Sequence, residues 1–197
     1  MLLPHDCYIL SDEVYSEILY EGEHDSLSRY EGLEDRVIVL ESASKTFSMT
    51  GWRLGYAALP EPLVEPMVRL AINAHSCVAP ATQIAGVAAL TGPMDSVREM
   101  VRSLEERRDL LVDGLNALPG VRCALPRGAF YAFPNVSETG LDANVLADRL
   151  LQEAGVALLA GSAFGEHGRG YLRLSTAAPR ETIEGALEAM AGLLSPG

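Results

Sequence analysis

Three short apolar runs punctuate the first sixty positions: Cys7-Tyr8-Ile9-Leu10, Arg36-Val37-Ile38-Val39-Leu40 and Leu54-Gly55-Tyr56-Ala57-Ala58-Leu59. Continuous runs of this kind suit strands buried on both faces, as in a parallel α/β sheet. Polar clusters close the first two, at Ser11-Asp12-Glu13 and Glu41-Ser42. In open α/β sheets ligands bind just beyond strand ends of this sort. Residues 61–92 are Ala-rich and helical in character, with a break near Ser76–Pro80. From Ser96 to Leu118, Val97, Met100, Val101, Leu104, Leu111 and Leu115 recur at helical spacing with charges between them, and Pro119-Gly120 stops the helix. The pattern next predicts short strands at 121–125 and 129–133 around Pro126-Arg127-Gly128. A helix over 143–154 with Asp142 as N-cap follows, then strands at 156–159 and 171–175, and a closing helix over 181–194. The chain reads as two units divided near Met94, a sheet-and-helix piece and a compact α+β domain, joined by the long helix.

Composition narrows the partners. Apolar residues make up 48 % of the 197, enough for a core. Asp and Glu number 27 against 15 Lys and Arg, a formal charge of −12. That field repels nucleic-acid backbones and anionic membrane surfaces, so an anionic ligand must be captured by local cations. Cys7, Cys77 and Cys123 are far apart with no CxxC spacing, and the four histidines are scattered. Neither a disulfide framework nor a metal site is indicated, and reduced thiols in a cytoplasmic protein are expected. No apolar run reaches the roughly 18 residues of a spanning helix, and the start MLLPHDCYIL lacks a basic leader region.

Lys45 stands in Glu41-Ser42-Ala43-Ser44-Lys45-Thr46-Phe47-Ser48, just past the second apolar run. A lysine partly buried there would lose its proton readily, and a neutral amine condenses with an aldehyde. Ser42, Ser44 and Arg53 offer hydroxyls and a guanidinium that suit a phosphate dianion. Asp12 could hold a protonated pyridine nitrogen, and Tyr15 could donate to a ring oxygen. Singly, each has a plain structural alternative: Lys45 as a loop lysine, Asp12 as a strand-end cap, Tyr15 as a packing residue.

Together the segments say more. Ser11-Asp12-Glu13-Val14-Tyr15, Ser42-Ala43-Ser44-Lys45-Thr46-Phe47 and Met49-Thr50-Gly51-Trp52-Arg53-Leu54-Gly55-Tyr56 resemble the signature of class I/II aminotransferases of pyridoxal-phosphate (PLP) fold type I. Gly128-Ala129-Phe130-Tyr131-Ala132-Phe133-Pro134, Gly161-Ser162-Ala163-Phe164-Gly165 and Tyr171-Leu172-Arg173-Leu174-Ser175 are similar to its small-domain motifs, in the family's order. The resemblance covers nearly the whole chain but only the family's C-terminal half. It implies an α/β fold: a remnant of the large-domain parallel sheet (1–94), then the α+β small C-terminal domain (95–197).

The same resemblance implies pyridoxal 5'-phosphate as cofactor, with Lys45 carrying it and shuttling a proton between the substrate α-carbon and cofactor C4′. Asp12 would pair with the ring nitrogen, Tyr15 would donate to the 3-oxygen, and Ser42 and Arg53 would bind the phosphate. Arg173 would grip the substrate α-carboxylate. Substrates would be an α-amino acid and a 2-oxo acid, and the complete family fold is expected to form a homodimer. Ala160 stands where the family often has proline. The glycine-rich phosphate turn and the ring-stacking aromatic belong to the family's other half, so activity of these 197 residues alone is not expected. Carbon–sulfur β-lyase chemistry and a non-catalytic aminotransferase-like fragment are the alternatives.

Overall fold

The computed structural model describes residues 5–195, and the chain falls into two compact units that meet at Glu99 and Met100. The first holds β1 (Ile9–Asp12), β2 (Val37–Ser42), the single-turn helix α1 (Ala43–Thr46), β3 (Gly55–Ala58), α2 (Glu61–His75) and α3 (Pro80–Thr91). The long helix α4 (Asp95–Asn116) crosses the division. In the second unit lie β4 (Tyr131–Ala132), α5 (Ala143–Ala154), β5 (Leu159–Ala160), β6 (Leu172–Ser175) and α6 (Arg180–Leu194).

β1 and β2 pair in parallel, from Ile9 opposite Val37 to Asp12 opposite Leu40. β3 pairs antiparallel to β2, with Gly55 opposite Ser42. The sheet is therefore mixed, where the apolar runs predict a parallel one. Residues 43–54 stay at the end of β2 as one helical turn and a 3-10 turn at Thr50–Trp52. A parallel return would need them to travel back along the strand. Nor are the runs buried on both faces: β1 alternates between half-buried and exposed, and β3 is exposed throughout. The buried apolar side chains of this sheet region are few, with Ile18, Leu33, Val37 and Ala43 foremost, and α2 buries none of its residues.

The second unit packs better. Its sheet has the order β4-β6-β5 with both pairings antiparallel. Leu115, Val121, Val136, Leu146, Leu150, Leu172 and Met190 share one core and are essentially inaccessible. Asp142 caps α5, its carboxylate accepting from the Asn144 and Val145 amides, and Gly155 ends the helix at a left-handed φ of 69°. The strand expected over 121–125 is only an isolated bridge, Arg122 to Asn135, and that expected over 129–133 shrinks to Tyr131–Ala132. Side chains hold this region instead. The Asn116 amide donates to the Cys123 carbonyl and accepts from its N–H, and the buried Arg108 guanidinium donates to the Pro126 carbonyl at 3.0 Å. Among the described residues no helix is long and apolar enough to cross a membrane.

Candidate active site

Strand direction explains how the first unit gathers its functional groups. β1 and β2 run in parallel, so Asp12 and the Ser42–Lys45 corner leave the sheet at the same end. β3 runs the other way, so Arg53, just before it, lies at that end as the chain returns. Lys45 is half-buried, and its Nζ lies 5.9 Å from the centre of the Tyr15 ring. Asp12 is exposed, its Oδ1 accepting from the Val14 amide at 3.4 Å.

Ser42 Oγ caps α1 by accepting from the Ser44 amide and donates to the Leu54 carbonyl, so this hydroxyl is held by local backbone. Arg53 is exposed with a left-handed φ of 55°, and its guanidinium donates to the Thr50 carbonyl at 3.0 Å. Ser48 and Ala129 share that unusual backbone region, and all three lie in or beside the motifs. For residues with a Cβ this conformation costs about 1–2 kcal/mol each, which the surrounding contacts must offset.

A layer of polar side chains that sequence reasoning missed lies next to these groups. Glu13 is 7 % exposed and accepts from His24 Nε2 at 2.7 Å and Ser26 Oγ at 3.0 Å. Ser16 donates to Glu41 at 2.8 Å, tying the segment after β1 to the end of β2. Burial alone would raise the Glu13 carboxyl, yet hydrogen bonds from His24, Ser26 and Ser11 outweigh it and hold the group below its ordinary value. Glu41 is raised, chiefly by burial and further by the Glu13 charge, against a hydrogen bond from Ser16. Burial and the Glu41 and Glu17 charges push the Tyr56 phenol up. No sequence signal joins His24 to Glu13, because the chain between them follows no periodic pattern.

In the second unit Arg173 is half-buried on β6. Its guanidinium carbon lies 4.7 Å over the Tyr131 ring and 4.5 Å over the Phe164 ring. Other arginines of this unit have carboxylates: Arg149 has Glu153, Arg180 has Glu184, and Arg108 has Glu105 and Asp109. Among the described residues nothing accepts a hydrogen bond from Arg173, so its planar fork of donors is available to an anion. A separate hollow of about 370 Å³ is walled by Leu111, Val156, Leu174, Ile183 and other small or apolar residues. It contains none of the expected site residues.

The family profile described as Aminotransferase class I and II matches residues 2–190. The chain belongs to the class I and II aminotransferases. It is 41 % identical over 193 residues to an aromatic-amino-acid aminotransferase of Thermococcus litoralis, a match covering 96 % of this chain and 49 % of that protein. It is 38 % identical to an aspartate aminotransferase of Pyrococcus abyssi over 96 % of this chain and 49 % of that one. The solved aromatic aminotransferase of Pyrococcus horikoshii superposes with a TM-score of 0.94 at 38 % identity, covering 98 % of this chain and 52 % of its own. The chain thus spans about half the length of the relatives it matches, and the α/β architecture is that of the corresponding half of this aminotransferase fold.

Proposed function

We propose that this chain contributes the lysine-bearing half of an aminotransferase site that moves an amino group between an α-amino acid and a 2-oxo acid. The carrying observation is that one end of the sheet gathers an amine, a carboxylate, a phenol, a hydroxyl and a guanidinium, in a chain of this family. That donor set fits pyridoxal 5'-phosphate: an amine for its aldehyde, a carboxylate for its ring nitrogen, and cation and hydroxyl for its phosphate. When bound, the cofactor supplies the electron sink that lets the substrate α-carbon give up a proton.

The protein's own groups do the rest. Lys45 carries the cofactor and moves the proton at the substrate α-carbon. Asp12 keeps the ring nitrogen protonated, and Tyr15 donates to the ring 3-oxygen. Ser42 and Arg53 bind the phosphate, each exchanging part of its present backbone bonding for the anion. Arg173 binds the substrate carboxylate. Substrate names among the relatives span aromatic and aspartate donors, and the reading here stays at the α-amino acid. A homodimer and a cytoplasmic location belong to the same reading.

Borohydride reduction after PLP addition, followed by peptide mapping, tests it. The expected product is a stable label on Lys45. Lys45 is the chain's single lysine, so label on the N-terminal amine with Lys45 unmodified overturns the assignment. Pyruvate release from a cysteine-type substrate without any 2-oxo acid would point to β-elimination instead.

A further inference from the structure

We propose that Tyr131 and Phe164 are positioning residues that hold the Arg173 guanidinium in its carboxylate-binding pose before any ligand arrives. The proposal rests on the reading of Arg173 as the carboxylate-binding residue. A guanidinium donates only in its own plane, while its flat faces attract aromatic rings. Rings lying over it at 4.7 and 4.5 Å occupy face area and leave the N–H edges for a fork-shaped contact. An unsupported arginine samples many rotamers and must surrender that freedom on binding; rings that restrict it beforehand remove part of that cost.

The rings are themselves placed by the fold. Tyr131 on β4 is opposite Ser175 on β6, which makes Arg173, two residues earlier on the same face, its diagonal neighbour. Phe130 lies against Tyr131 at 4.9 Å. Phe164 meets Phe133 edge-on at 6.1 Å, and Phe133 stacks on Tyr171 at 5.3 Å. The turn that presents Phe164 is closed by backbone contact: a Cβ on Gly161 would lie 2.3 Å from the Gly168 carbonyl oxygen, and one on Gly168 2.0 Å from that of Gly161. Gly161 N–H also donates to the Tyr171 carbonyl at 2.7 Å. Phe164 is nonetheless 49 % exposed, a large apolar surface that core packing does not require.

The experiment is 15N relaxation of the arginine Nε–Hε groups in the labelled 197-residue chain, with no cofactor or substrate present. In the wild type, Arg173 is expected to be ordered, with an order parameter above the roughly 0.6 that marks flexible groups. Its signals should also be displaced by ring currents. Phe164→Leu and Tyr131→Leu should each drop it below that bound and move the signals back, with Arg180 unchanged as internal control. Phe164→Tyr and Tyr131→Phe keep the ring faces and should behave as wild type. Should Tyr131→Leu disturb β4, the backbone amide spectrum will show it, and the half-exposed Phe164→Leu decides. A mobile Arg173 in the wild type, or unchanged order and shift in Phe164→Leu, overturns the proposal. Failure of the carboxylate-binding reading is seen separately, as an Arg173→Ala enzyme whose amino-acid KM does not change.

Discussion

Burying a carboxylate is costly unless donors replace its water, and Glu13 has such donors in His24 and Ser26. Because those bonds favour the charged form, folded Glu13 binds its proton less readily than the unfolded chain, whose glutamates titrate near 4.3. Its stabilisation is complete above that value and is lost as pH falls through the lowered folded value. Glu41 works in the opposite sense. Raised mainly by burial, it opposes folding when charged and relieves that penalty as pH falls from its folded value toward the unfolded one. Glu13→Gln is expected to cost about 1–3 kcal/mol near neutral pH and to flatten the acid side of the stability profile. Trp52, the chain's single tryptophan, lies in the same unit and can report unfolding between pH 3 and 7. A variant whose profile parallels the wild type would remove Glu13 from this role. At Arg173 the expected effect, on the proposed reading, is on substrate. Arg173→Ala in a catalytically competent protein should retain the cofactor label on Lys45 and lose at least about tenfold in kcat/KM, since a charge-assisted contact contributes about 1.5–3 kcal/mol. Lys45, Asp12, Arg53 and Arg173 could be picked out as candidates from local motifs because each sits in a recognisable run of neighbours. Glu13 with His24, and Arg173 with its two rings, could not, because those pairs form only once separate segments fold together.

At the scale of elements, long amphipathic helices were legible and short strands were not. α4, α5 and α6 each carry a periodic apolar face and a clear stop signal, so their limits follow from the pattern within a residue or two. β4 and β5 are two residues long, and the segment leading into β4 is fixed by side chains such as Asn116 and Arg108, which no alternation reveals. The direction of β3 was equally hidden, since a strand's apolar run is the same read from either side. Glycine positions give the sharpest contrast between local and tertiary control. Gly120 follows α4 at a left-handed φ of 72°, and a Cβ there would lie 2.6 Å from the Glu138 carbonyl carbon and oxygen. Gly120→Ala combines about 1–2 kcal/mol of backbone strain with a backbone clash, so a loss of about 2 kcal/mol or more is expected in urea unfolding of the second unit. Gly114, inside α4, would meet the Leu187 side chain, from Cδ1 at 2.4 Å to Cγ at 3.1 Å, and no backbone atom. Gly114→Ala gains about 1 kcal/mol of helix propensity against that crowding and should cost clearly less. Equal losses in the two variants would mean that backbone strain at Gly120 is not what sets the cost.

The molecule as a whole is uneven. One core of inaccessible side chains organises the second unit, whereas the first exposes Tyr8, Leu10, Val68, Leu70, Ile72, Ile84, Val87 and Leu90. β1 and β3 are both outer strands of its sheet, and unpaired strand edges beside apolar surface favour association with other chains. The charge of −12 works against such association but is screened by salt. The 197-residue polypeptide by itself is therefore expected to unfold in two steps in urea, with the Trp52 signal of the first unit changing before the helical signal of the second. Its sedimentation should become more concentration-dependent as salt is added. Aminotransferase turnover should be slight under the same conditions. On the proposed reading Asp12, Tyr15, Lys45 and Arg53 would reach the cofactor from one end of the sheet, while the family resemblance assigns the ring-stacking aromatic and the glycine-rich phosphate turn to the half of the fold beyond the matched one. A cofactor held from one side exchanges with solvent and free amines instead of cycling through substrates. Incubating the purified chain with PLP, a panel of amino acids and 2-oxoglutarate gives the measurement. Robust turnover from a preparation whose mass spectrum shows only the 21.1 kDa chain would mean that these residues suffice for a working site.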